Sequence, residues 1–141
     1  MKISDKGINL IKEFEGLELI SYLCPAKVWT IGYGHTKGVQ EGMEWTEEQA
    51  EEALKEEVIG YCRYVEELVE VPLNQNQFDA LTSWTYNLGP TNLKSSTMLK
   101  VLNDGNYDEV PEQIKKWNKA GGQVLNGLIK RRDAEAELFV S

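Results

Sequence analysis

Apolar side chains recur along this chain with two different periods. Ile3, Gly7, Leu10, Ile11 and Phe14 fall at helical spacing, which predicts a first helix over residues 4–14. Ser4 is placed to cap it and Gly16 to end it. The period then changes. Leu17, Leu19 and Tyr22 read as one short strand, and Val28-Trp29-Thr30-Ile31 as a second, with Pro25, Ala26 and Lys27 in the turn between. Thr46-Glu47-Glu48-Gln49 is a capping-box pattern. Behind it Ala50, Ala53, Leu54, Val58, Tyr61, Val65 and Leu68 keep a helical stripe to Val69, a rod of roughly 36 Å at ~1.5 Å per residue. Such a rod is long enough to join two lobes, and Val71-Pro72 stops it. Cys62 lies beside the stripe and reads as packing.

Asn74-x-x-Gln77 repeats the capping pattern, and Phe78, Leu81, Trp84, Thr85 and Leu88 predict a buried helix ended by Gly89-Pro90. Another helix starts at Asn92, carries Leu93, Thr97, Met98, Val101 and Leu102 on one face, and leaves through Asn103-Asp104-Gly105. A shorter one spans roughly 108–117, with Pro111 tolerated near its first turn. Trp117 reads as core or lobe-edge packing, and Gly121-Gly122 as a flexible turn. The last helix carries Leu128, Ile129, Arg132, Ala136 and Phe139. The expected fold is α+β and mostly helical. It is one domain of two lobes, about 1–58 and 59–141, with a little sheet in the first and a cleft between them.

Length and charge narrow the possibilities. A chain of 141 residues can bury a true core. No run approaches the ~20 apolar residues of a membrane span, and Met1–Lys6 leads into an amphipathic pattern, so neither a signal peptide nor stable membrane insertion is expected. The net charge of −8 argues against nucleic acid as a partner. Residues 41–70 carry eleven Glu against Lys55 and Arg63, a net of −9 that reads as a solvated helix face. Residues 111–141 carry six Lys or Arg against four acids, a net of +2, and are the better candidate to meet an anionic polymer. Cys24 and Cys62 do not make a disulfide framework and are expected as free thiols. Single His35 makes a zinc site improbable, and no phosphate loop or dinucleotide fingerprint is present, so no metal or cofactor is expected.

The stretch from Glu13 to Thr36, EFEGLELISYLCPAKVWTIGYGHT, concentrates the candidate chemistry. Eight residues separate Glu15 from Cys24 and five separate Cys24 from Thr30; Ile31-Gly32-Tyr33-Gly34-His35 follows. This arrangement resembles the phage-type lysozymes, the glycoside hydrolases of the phage T4 and P22 lysozyme class. Later blocks carry the resemblance over nearly the whole chain: Gln77–Leu81, Asn87-Leu88-Gly89, Ser95–Leu99, Trp117–Gly122 and Gly127–Arg132. Cys24 stands where the family usually has Asp.

What the resemblance implies is cleavage of peptidoglycan glycan strands between N-acetylmuramic acid and N-acetylglucosamine. The enzyme would be a monomer held in the host cytoplasm and released by a phage holin. Glu15 would be the general acid. Its place at a helix C-terminus, beside aromatic neighbours, disfavours the anion. Arg131 or Arg132 would approach it. Cys24 and Thr30 would assist the attacking water. As a base the thiolate gives inversion; as a nucleophile it gives retention; as a bystander it leaves the work to Glu15 and Thr30. Gly32, Tyr33, His35 and Arg131 are the candidates for contact with substrate. The glycines would let backbone come close to it, although His35 also reads as a structural hydrogen-bonding residue. A lytic transglycosylase, which needs one acid, and a non-catalytic wall-binding module are the competing readings.

Overall fold

Ser4 is extended (φ −86°, ψ 173°), and the first helix, α1 (Asp5–Glu15), starts after it in the computed structural model, which describes residues 1–141. The expected side-chain cap is not made. Both polar groups of Ser4 go instead to a distant acid. Its backbone N–H donates to Asp79 Oδ1 at 3.0 Å and its hydroxyl donates to Oδ2. A carboxylate with no exposed surface is a stronger acceptor for these orphan donors than a hydroxyl, and it ties the helix start to another element.

Gly16 ends α1 at φ 72°. Strands β1 (Glu18–Leu23) and β2 (Trp29–Gly32) then pair antiparallel, with Tyr22 opposite Thr30 and Leu23 opposite Trp29. A register irregularity lies between Glu18 and Tyr22. Helix α2 (Glu47–Leu68) begins on the complete Thr46–Gln49 capping box, and α3 (Gln75–Leu88) on the complete Asn74–Gln77 box. In each, side chain and backbone satisfy one another's orphan donors.

The helix expected from Asn92 to Leu102 is broken in two. Helices α4 (Pro90–Ser95) and α5 (Thr97–Asn103) meet at Ser96, which is extended at ψ 147°. Its hydroxyl donates to Leu93 O at 2.7 Å and accepts from Leu99 N at 3.1 Å, so one side chain closes one helix and opens the next. A single 3₁₀ turn at Tyr107–Glu109 leads into α6 (Val110–Lys115), with Pro111 in its first turn. Gly121 (φ 59°) and Gly122 (φ 80°) form a turn between β3 (Lys119–Ala120) and β4 (Gln123–Val124), a small hairpin that the two glycines alone did not announce. Helix α7 (Asn126–Val140) ends the chain.

Two cores hold these elements. The larger joins α2 to the helical body through Cys62, Val65, Phe78, Leu81, Trp84, Leu93, Leu102, Ile114 and Phe139. Trp117 sits edge-on to Trp84, ring centroids 5.3 Å apart, at its margin. The smaller is Ile8, Ile11, Leu54 and Val58, which glue α1 to α2. Helix α1 therefore leans on α2 with one face while its start is fixed to α3, and its last residue is carried to the cleft. No helix is long and apolar enough to cross a membrane.

Candidate active site

Glu15 is the last residue of α1 and its side chain is 19% exposed. Arg131 Nη1 donates to its Oε2 at 2.6 Å. Arg131 itself is buried in α7 and every face of its guanidinium is held. Nε donates to Glu135 Oε2 at 3.2 Å and Nη2 to the Ser83 carbonyl at 3.1 Å. Glu135 has no exposed surface and also accepts from the Ser83 hydroxyl at 2.6 Å. Arg132 closes the cluster. Its Nη2 donates to Asn87 Oδ1 at 2.8 Å and to Glu135 Oε2 at 3.3 Å. Its Nε lies 2.7 Å from Glu135 Oε1 without hydrogen-bond alignment. Burial pushes the Arg132 guanidinium below its usual value, against the pull of Glu135.

This burial corrects the reading of the C-terminal charge. Arg131 and Arg132 are internal, so they do not offer a basic surface to an anionic polymer. Of the two arginines left open by the sequence, Arg131 is the one on Glu15. Glu135 and Ser83 were not foreseen. The available signal was spacing: Glu135 lies four residues after Arg131 and three after Arg132, on one helix face.

The loop after β2 backs the other side of Glu15. A Cβ at Gly34 (φ 79°) would sit 2.5 Å from Glu15 Oε1, so only glycine lets the backbone pass the carboxyl there. The glycines were expected to admit a ligand. Gly34 admits the acid instead, and Gly32 admits the Trp45 ring, 3.0 Å from its built Cβ.

Tyr33 packs its ring against the Ile8–Ile11–Leu54–Val58 cluster, under Lys12 Nζ at 5.6 Å. His35 is engaged at both nitrogens, Nδ1 at 2.9 Å from Glu57 Oε2 and Nε2 at 3.0 Å from Lys37 O. It therefore ties the loop to α2. Gly32, Tyr33 and His35 shape the loop that presses on Glu15, while Arg131 touches Glu15 directly.

Cys24 and Thr30 come together on the β1–β2 hairpin. The Cys24 backbone N–H donates to Val28 O at 3.0 Å, and Lys27, at φ 62°, donates back to Cys24 O at 2.8 Å. In this tight turn the Val28 N–H pulls the Cys24 thiol below its ordinary value, against desolvation and with further help from Ala26 and the Thr30 hydroxyl. The Thr30 hydroxyl donates to Val28 O at 3.0 Å.

Tyr22 lies opposite Thr30 in the sheet. Burial raises its phenol, and the charges of Glu18, Cys24 and Glu15 raise it further. On the far side of Glu15 a pocket of about 320 Å³ opens between Phe14, Asn87, Leu125, Leu128 and Arg131. A larger hollow of about 650 Å³ lies between the chain start and α2; it shares no lining residue with the Glu15 pocket and holds none of this chemistry. No group of three or more His, Cys, Asp or Glu is placed to hold a metal ion.

A helix tail that presents its acid to a small hairpin, with a guanidinium arriving from the far end of the chain, places this fold among the lysozyme-like α+β proteins. Solved structures agree. The muramidase domain of SpmX from Asticaccaulis excentricus is 40% identical and superposes with a TM-score of 0.93 over 99% of this chain and 98% of its own.

The chain belongs to the Phage lysozyme family, whose profile matches residues 12–135. It is 46% identical to the endolysin of Bacillus phage B103 over its full length, and spans 55% of that relative. It is also 46% identical to the endolysin of Acyrthosiphon pisum secondary endosymbiont phage 1, of which it spans 99%. More distantly, the SAR-endolysin of Enterobacteria phage P21 is 33% identical over 88% of this chain and 78% of its own length.

Proposed function

We propose that this chain is a muramidase that hydrolyses the β-1,4 bond between N-acetylmuramic acid and N-acetylglucosamine in peptidoglycan. The observation that carries the reading is Glu15, held by Arg131 at 2.6 Å and backed by Gly34 in the loop that follows the hairpin of Cys24 and Thr30. Glu15 gives its proton to the departing glycosidic oxygen. Arg131 fixes the carboxyl's orientation through Oε2. Cys24, with its thiolate favoured by Val28 N–H, takes a proton from water, and Thr30 holds that water. Attack from the face opposite Glu15 inverts the anomeric centre. The names of the relatives, endolysins and a muramidase domain, support the same reaction class.

The test is digestion of purified peptidoglycan by the wild type and by Glu15→Gln, Cys24→Ser and Cys24→Asp, with product masses. New reducing ends at wild type, their near-absence in Glu15→Gln and recovery in Cys24→Asp are expected. A second reading, a lytic transglycosylase, is favoured by the single feature that Cys24 replaces a carboxylate. It forms 1,6-anhydromuramic ends and is indifferent to Cys24. We place the enzyme in the host cytoplasm before lysis, released by a separate holin. Expression without a holin then leaves cells intact until chloroform opens the membrane. Spontaneous lysis is the outcome that sides with the SAR-endolysin relative.

A further inference from the structure

Three tyrosine rings run outward from the Glu15 loop, and the mechanism above uses none of them. The Tyr86 hydroxyl donates to Tyr33 O at 2.9 Å, one residue from the glycine that abuts Glu15. Tyr61 stands edge-on to Tyr86, centroids 5.1 Å apart, and Tyr64 edge-on to Tyr61 at 6.2 Å. The row ends in solvent, with Tyr64 41% exposed. It is off the core stripe of α2, which is Ala50, Leu54, Val58, Cys62 and Val65.

Gly60 lies one turn before Tyr64, and apart from its chain neighbours and the helix's own backbone no atom comes within 4 Å of where its Cβ would be. Packing does not demand a glycine there, although glycine is a poor helix former. Helical side chains lean toward the N-terminus over the residue one turn back, so this gap leaves open the floor beneath the Tyr64 ring.

We propose that Tyr61 and Tyr64 extend the Glu15 cleft along α2 as a stacking subsite for the amino-sugar rings of a glycan strand. The proposal rests on the muramidase reading and adds where the strand goes beyond the scissile bond. The chemistry of the row selects the occupant. A pyranose offers a C–H face to the rings and hydroxyls to the phenols. Glu57 bears on Tyr61 and Tyr86, and Glu67 lies one turn after Tyr64, so carboxylates stand beside the row as acceptors for the hydroxyl and amide donors of an amino sugar. Continuity with the acid's own loop makes that pyranose part of the same strand.

The experiment compares wild type, Tyr64→Ala and Tyr64→Phe on long glycan strands and on a single tetrasaccharide. On long strands Tyr64→Ala is expected to raise KM about fivefold to tenfold, the size of one lost aromatic contact, with kcat and Tm unchanged. Tyr64→Phe keeps the ring and stays within about twofold of wild type. On the tetrasaccharide, which reaches less far along α2 than a long strand, the Tyr64→Ala loss is expected to be smaller. An unchanged KM on long strands, or an equal loss on both substrates, overturns the proposal. So does a wild type that sediments as a dimer and becomes a monomer in Tyr64→Ala, because the face then pairs two copies. If wild type releases no saccharide the muramidase reading fails. Pelleting with insoluble peptidoglycan still tests the tyrosines, and equal retention of wild type and Tyr64→Ala sinks them.

Discussion

Glu135 grips Arg131 on the side away from Glu15, so one guanidinium is shared between a buried carboxylate and the cleft carboxyl. Arg131 and Arg132 carry two positive charges, and Glu135 offsets one of them. Glu135→Gln leaves the whole field on Glu15. Both arginines are buried, so the variant is expected to lose about 3 kcal/mol of stability, read from urea unfolding. Because Glu135 also holds the guanidinium that orients Glu15, activity per folded molecule should fall as well. A loss of stability with full activity per folded molecule would make Glu135 structural only.

The thiol of Cys24 should titrate below an ordinary cysteine. Iodoacetamide labelling, followed by mass, is expected to reach half its maximal rate at a lower pH than for an ordinary exposed cysteine. The sign follows from the N–H of Val28 and the hydroxyl of Thr30, which stabilise the thiolate. Thr30→Val removes one of these donors and should move the midpoint upward. An identical midpoint in the two proteins would remove Thr30 from the thiol's environment.

Gly34→Ala places a methyl 2.5 Å from Glu15 Oε1 at a backbone φ of 79°. The left-handed conformation alone costs roughly 1–2 kcal/mol. Gly38→Ala, at φ 72° with open space around it, carries that cost without the clash. Activity assays at matched folded fraction should show Gly34→Ala reduced by about a hundredfold, the scale of a ~1 Å misplacement of a reacting group, and Gly38→Ala near wild type. Equal activities would mean that Glu15 can move aside freely.

Asp79, on α3, fastens the start of α1 through both polar groups of Ser4, and within α3 it also accepts from the Gln75 amide at 2.8 Å. Asp79→Ala leaves these donors without their acceptor and is expected to cost about 2–3 kcal/mol in chemical denaturation. Because α1 also carries Glu15, the folded fraction should lose activity as well. Full activity per folded molecule would show that the α1–α2 cluster alone sets the helix.

Much of this arrangement was readable in the chain itself. The starts of α2 and α3 were legible because a capping box is a local pattern with its own chemistry, and both boxes are fully formed. The hairpin was legible from β-forming residues around Pro25. The break at Ser96 was not, since a serine between apolar residues reads equally well inside a helix. Charge was misread at the other end. Arg131, Arg132 and Glu135 look like an ordinary solvated face, and only the partners from α1 and α3 bury them. Periodicity describes how one element meets an interior. It does not say which interior, so the Glu15–Arg131 contact came from the family resemblance and its companions Glu135 and Ser83 from the coordinates.

The contact between Glu15 and Arg131 spans 116 positions of sequence. A ribosome adding about 5–20 amino acids each second needs roughly six to twenty-three seconds to get from one to the other. Throughout that interval the nascent chain carries its acid without the group that aims it. Translation that stalls before the closing helix emerges therefore yields a chain whose Glu15 has no guanidinium to hold it.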